Sequence, residues 1–134
     1  MTRKEKELLL KDLCSRLPYG VKISVLSWDE REMEYIDRVD VLYSVNGDDY
    51  IKTVSEDYNF SPEDVKPYLF PLESMTDEQM EEYCQLQQKI IYNSKGPVNK
   101  DIIEYINWCY KNHLDINDLI PMGLAIDATG LNIY

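Results

Sequence analysis

RVDVLYSVNGDDYIKTV, residues 38–54, is the stretch that decides the fold class. Val39, Val41, Tyr43 and Val45 fall on alternate positions, the period of a strand with one buried face. Asn46-Gly47 follows, and both residue types tolerate the positive φ of a tight two-residue turn. Tyr50 and Ile51 then resume an extended pattern, so residues 39–54 read as a β-hairpin.

The neighbouring segments extend that frame in both directions. Upstream, Val21, Ile23 and Val25 in VKISVL alternate as a second strand. WDEREMEYID, residues 28–37, is open between a loop and a strand end with a hairpin. Thr2 with Glu5 makes a capping box, and Leu9, Leu13 and Leu17 repeat at helical spacing up to the Pro18/Gly20 stop. Downstream, Ser61-Pro62 opens a short helical turn, and Pro67 and Pro71 limit the next segment to a short or edge strand. Thr76 with Gln79 makes a second capping box, opening a helix with Met80, Tyr83, Cys84, Gln87 and Ile91 on one face. Asn99 is expected to cap a third helix that is apolar on most sides. That pattern makes residues 98–112 the expected most buried helix, with Ile102, Ile106 and Cys109 facing the core. Asp115 is expected to open a short fourth helix ending before Gly123, shortened by Pro121, with a brief strand at 124–127. The expected fold class is α+β: an N-terminal helix, a small antiparallel sheet with its hairpin near 39–54, and a helical C-terminal half packed on the sheet. One domain spans 1–134, β-rich over about 21–71 and helical over about 76–122.

Composition narrows the function classes. A chain of 134 residues can bury roughly two thirds of its surface, enough for a core without metals or disulfides. The 44% hydrophobic share excludes a wholly disordered chain. No apolar run approaches the length of a membrane span, and the charged start MTRKEKELLLKDL does not read as a signal peptide. Cys14, Cys84 and Cys109 are odd in number and unpatterned, which fits free thiols in a reducing cytoplasm. The net charge of −11 is unevenly placed: residues 29–64 carry three basic and twelve acidic side chains. Such a field repels phosphates and anionic lipid, so direct nucleic-acid and membrane binding are disfavoured.

Three segments carry a resemblance. LPYGVK at 17–22, EDVKPYLFPLESMTDEQ at 63–79 and WCYKNHLDINDLIPMGLAIDA at 108–128 resemble a family of small proteins encoded by Bacteroides-type gut bacteria, their prophages and their phages. The resemblance implies a bacterial or phage cytoplasmic protein and brings no activity, cofactor or catalytic residue with it. Pro121 departs from the family pattern, which carries a charged helix former there.

The residues offer few routes to chemistry. Cys109 and His113 stand four apart and could share a helix face as a thiolate–base pair, against a buried cysteine and a helix-terminal histidine. VNGDD does not complete a calcium loop, and the scattered glycines form no phosphate-binding loop. Eleven tyrosines against two phenylalanines are the compositional oddity, and tyrosine suits interfaces. The leading expectation is a non-catalytic protein-binding module with no cofactor or metal, meeting a basic protein partner. Its expected contact residues are Tyr35, Tyr43, Asp48, Asp49, Tyr50, Glu56 and Asp57. A DNA-mimicking inhibitor of a nucleic-acid-binding host protein is the sharper alternative, and an enzyme of unidentified class the second. The oligomeric state is not legible.

Overall fold

The computed structural model describes residues 1–47, 50–92, 96 and 98–134. Thr2 caps α1 (Arg3–Arg16): its Oγ1 accepts the Glu5 N–H at 3.1 Å, and the Glu5 carboxylate accepts the Thr2 N–H at 3.1 Å. The capping box therefore forms as read, and the helix fully buries Leu9 and Leu13. A 3-10 turn at Leu17–Tyr19 ends it, and Gly20 takes the left-handed conformation at φ 64°.

β1 (Lys22–Asp29) pairs antiparallel with β2 (Glu34–Val45), from Lys22 opposite Val41 to Asp29 opposite Glu34. The ambiguous segment 28–37 is thus a hairpin of its own, with Met33 at φ 53° in its turn. β3 (Ile51–Thr53) lies beside β2, β4 (Val65–Leu69) on the far side of β1, and β5 (Ile126–Asp127) beyond β4. The order is β3-β2-β1-β4-β5, and β5 runs parallel to β4. The sheet is therefore mixed where an antiparallel one was expected. A parallel neighbour needs a long crossover, and the helical segment between β4 and β5 supplies it. The sequence limits on β4 hold: it is short. Pro67 is tolerated inside the sheet because β5 pairs only with Tyr68 and Leu69, leaving no ladder bond for the missing N–H.

The 39–54 hairpin forms between β2 and β3, with two corrections. Val45 faces Ile51, so five residues join the strands rather than two, and the Asn46 N–H donates to the Tyr50 carbonyl at 2.8 Å. Asp48 and Asp49 lie outside the described residues. The buried face is also the opposite one: Leu42 is buried, whereas Val39 and Tyr43 are exposed. Register is the reason. Opposite residues of an antiparallel pair share a face, and Ile23 and Val25, both buried, face Asp40 and Arg38. Val39 faces Ser24 instead. A bulge between Leu42 and Ser44 then shifts the phase, which returns Val45 to the core side.

The core lies between α1 and one sheet face. Leu9 and Leu13 meet Val21, Ile23, Val25, Leu42 and Ile51, joined by Leu119, Leu124 and Ala125 from late in the chain. The two helices α2 (Asp77–Ile91) and α3 (Asn99–Lys111) pack on each other beside this core. The Thr76–Gln79 capping box forms, but Val98 stands at the α3 N-cap without a side-chain bond. The most buried helix is α1, not α3: Cys109 is the one buried residue of α3, Ile102 and Ile106 are half-buried, and Ile103 is exposed. The apolar side of α3 meets α2, largely through aromatic rings that tolerate partial exposure: Tyr83 lies 5.6 Å from Tyr105 and 6.1 Å from Trp108. No fourth helix follows. Asp115 instead caps a turn, accepting the Leu119 and Ile120 N–H groups at 2.8 and 2.9 Å, and Asp118 at φ 56° with Pro121 stops propagation.

Tyr134 closes the sheet where β1 and β4 part. Its hydroxyl accepts the Lys22 N–H at 2.9 Å and donates to the Tyr68 carbonyl at 2.8 Å.

Candidate functional site

Leu26 and Trp28 have the opposite parity to Ile23 and Val25, so they point away from α1. Register places Tyr35 opposite Trp28, Asp37 opposite Leu26 and Val39 opposite Ser24 on that same outer face. Leu26, Trp28, Tyr35, Val39 and Tyr43 are between 38% and 67% exposed there. Five large apolar side chains thus stand on one sheet face with water over them, Leu26, Trp28, Tyr35 and Val39 near one end and Tyr43 further along β2. Trp28 and Tyr35 meet edge to face at 5.1 Å, which fixes both rings across the strands.

At the same end of the sheet a cleft of about 680 Å³ lies beneath the chain that leaves β3, bordered by Leu26, Trp28 and Tyr35 as well as by Ser27 and Arg38. Arg38 of β2 meets Glu56 there at 3.7 Å, and the Tyr58 and Phe60 rings lie 4.8 Å apart. Ser27 lines the cleft; it is 2% exposed, and its Oγ has no hydrogen-bond partner. A buried hydroxyl without a partner is rare and costs the fold the hydration that it loses. Beside the cleft, Asp40 is occupied: its Oδ1 accepts the Val41 N–H at 2.8 Å and the Ser55 hydroxyl at 3.0 Å.

The expected contact residues divide between two places. Tyr35 and Glu56 line the cleft end of the hairpin, and Asp57 follows Glu56 on an exposed turn. Tyr43 shares the outer face with Tyr35 but stands eight residues along β2, about 25 Å away at strand rise. Tyr50 is exposed at that far end, next to the undescribed Asp48 and Asp49. Sequence reasoning missed Trp28, Leu26 and Arg38. A signal was present in KISVLSWD, where Leu26 and Trp28 break the alternation set by Ile23 and Val25.

The Cys109–His113 pair does not assemble. Cys109 is fully buried, and burial pushes its thiol up, away from the thiolate a nucleophile needs. His113 adopts φ 58° and stacks on the Tyr134 ring at 3.8 Å. Burial first, then the nearby positive charges of Arg16 and Lys22, hold its imidazole down at about 4. Among the described residues no cluster of His, Cys, Asp or Glu could hold a metal ion, and no helix is long and apolar enough to cross a membrane.

Comparison with known proteins finds no matching family model, no similar curated protein and no similar solved structure.

Proposed function

We propose that the chain is a non-catalytic protein-binding module whose contact surface is the β1–β2 end of the sheet. The observation that carries this is the uncovered outer face, where Trp28, Tyr35, Leu26 and Val39 stand exposed around Asp37. Apolar side chains with two-χ aromatic anchors supply the contact area, and the surrounding carboxylates select a basic partner. The resemblance to gut-bacterial and phage proteins fits an accessory role in a bacterial mobile element. A DNA mimic needs its carboxylates in one aligned row. Glu34, Asp37 and Asp40 are three residues apart on β2 and so alternate between its faces, which favours the protein-binding reading.

The test captures partners from the native host with the wild-type chain and with Asp37→Lys/Glu56→Lys/Asp57→Lys, each at low and physiological salt. Binding through this surface is expected to fall with salt and to be lost in the variant. Equal capture by both proteins, with circular dichroism unchanged, refutes the reading and moves attention to the α2–α3 pair.

A further inference from the structure

β2 is longer than its neighbour on one side. Its pairing with β1 covers residues 34–41, whereas β3 reaches only Leu42 to Val45. The Leu42 N–H donates to the Val21 carbonyl at 3.1 Å, which sets the phase: the even residues of β2 below the bulge turn their backbone groups towards β1. The odd residues turn theirs outwards. Val41 is answered, because the Val54 N–H donates to its carbonyl at 3.0 Å and Asp40 takes its N–H. Tyr35, Asp37 and Val39 are next along this edge, and among the described residues their outward N–H and C=O groups have no hydrogen-bond partner. All three side chains are exposed. An edge of this kind is a template for another strand.

We propose that an extended, basic segment of a partner protein adds to this edge as an antiparallel strand beside residues 35–39; the inference rests on the protein-binding reading above. Charge decides between occupants. A second copy pairing symmetrically about Asp37 would set Asp37 against Asp37 and Glu34 against Asp40 twice over. Like charges placed directly opposite disfavour such a pairing, on top of the −11 carried by each chain. The same carboxylates favour a strand with Lys or Arg opposite Asp37. Tyr35 and Val39 flank Asp37 on the outer face, so the added strand should read apolar-x-basic-x-apolar on that side. The pattern differs from general acidic attraction because it requires the backbone of the partner as well as its charge.

The probe is a synthetic peptide, acetyl-Thr-Val-Thr-Lys-Thr-Val-Thr-amide, titrated into the whole chain and followed by amide NMR. Strand addition predicts slowed hydrogen exchange at the Tyr35, Asp37 and Val39 amides. N-methylation of the peptide Lys, whose N–H faces β2, should weaken binding by about tenfold or more, and N-methylation of a neighbouring Thr should not. Val39→Pro deletes an outward N–H without touching the β1 pairing and should weaken binding similarly, while Val39→Thr retains it. Asp37→Lys should reject this peptide and accept its Glu-centred counterpart. Binding that ignores N-methylation and Val39→Pro but is lost in Asp37→Lys overturns strand addition and leaves the acidic-surface reading standing. No binding at about 1 mM peptide, or protection absent from those three amides, also overturns it.

Discussion

Asp12→Asn should be among the most damaging single changes in this chain, although it alters no apolar group. Asp12 and Arg16 stand one turn apart on α1 and are 1% and 0% exposed. The carboxylate accepts Arg16 Nε at 2.6 Å and one terminal nitrogen at 3.1 Å, a two-point pairing. Arg16 also donates to the Leu114 carbonyl at 2.7 Å and lies 4.8 Å over the Tyr110 ring, while the Asn117 amide donates to Asp12 at 2.8 Å. The pair therefore joins α1 to the segment after α3. Asn in place of Asp leaves a guanidinium buried without its counter-charge, and breaking a buried pair in that way costs about 3–5 kcal/mol. For a chain of 134 residues that is a fall in Tm on the order of 10–20 °C. Asp12→Leu/Arg16→Met removes both charges and should recover much of the loss. Full recovery is not expected, because the Leu114 carbonyl then loses its donor, worth about 1–3 kcal/mol. Urea unfolding followed by circular dichroism measures both variants. A loss under about 1 kcal/mol for Asp12→Asn, or a double variant worse than the single one, refutes the reasoning.

Leu13→Ala should cost about 2–5 kcal/mol, and Ile106→Ala clearly less, because Leu13 is fully buried in the main core and Ile106 only half-buried outside it; urea midpoints compare them. His113 is held neutral when folded, at about 4 against 6.5 for the unfolded group, so its contribution is present above pH 6.5 and is lost as the pH falls towards 4. His113→Asn, a residue that accepts positive φ, should flatten the decline in Tm across that window relative to wild type. Ser27→Ala should be neutral or stabilising, since the hydroxyl it removes is buried without a partner; a loss above about 1 kcal/mol in chemical denaturation would contradict that.

Local signals survived best in the passage from sequence to fold. Both capping boxes form because four residues settle them without reference to the rest of the chain. The β1 alternation at Val21, Ile23 and Val25 held because all three pack under α1. β2 was misread because Val39, Val41 and Tyr43 are apolar for a different reason than burial: they stand on the outer face, and the core side of the same strand carries Arg38 and Asp40. A bulge at Tyr43 then changes the phase within one run, which no period-2 template registers. The burial of α3 was overestimated because partial exposure of Tyr105 and Trp108 cannot be told from burial by residue type. The candidate site was half legible. Tyr35 and Glu56 were visible as an aromatic and an acid in a charged stretch, but their meeting with Trp28 and Arg38 depends on strand register, which is a long-range property.

The position of α2 and α3 beside the core has a consequence for how the molecule comes apart. The main hydrophobic cluster contains no side chain from either helix, and between them they bury only Leu86 and Cys109. Detaching α1 would tear open the whole contact between helix and sheet, while parting α2 from α3 uncovers mostly rings that already touch water. Stability is therefore graded along the chain rather than shared evenly. The helical pair is therefore expected to loosen before α1 and the five strands, with amide exchange fastest in α2 and α3 and slowest in α1 and β1.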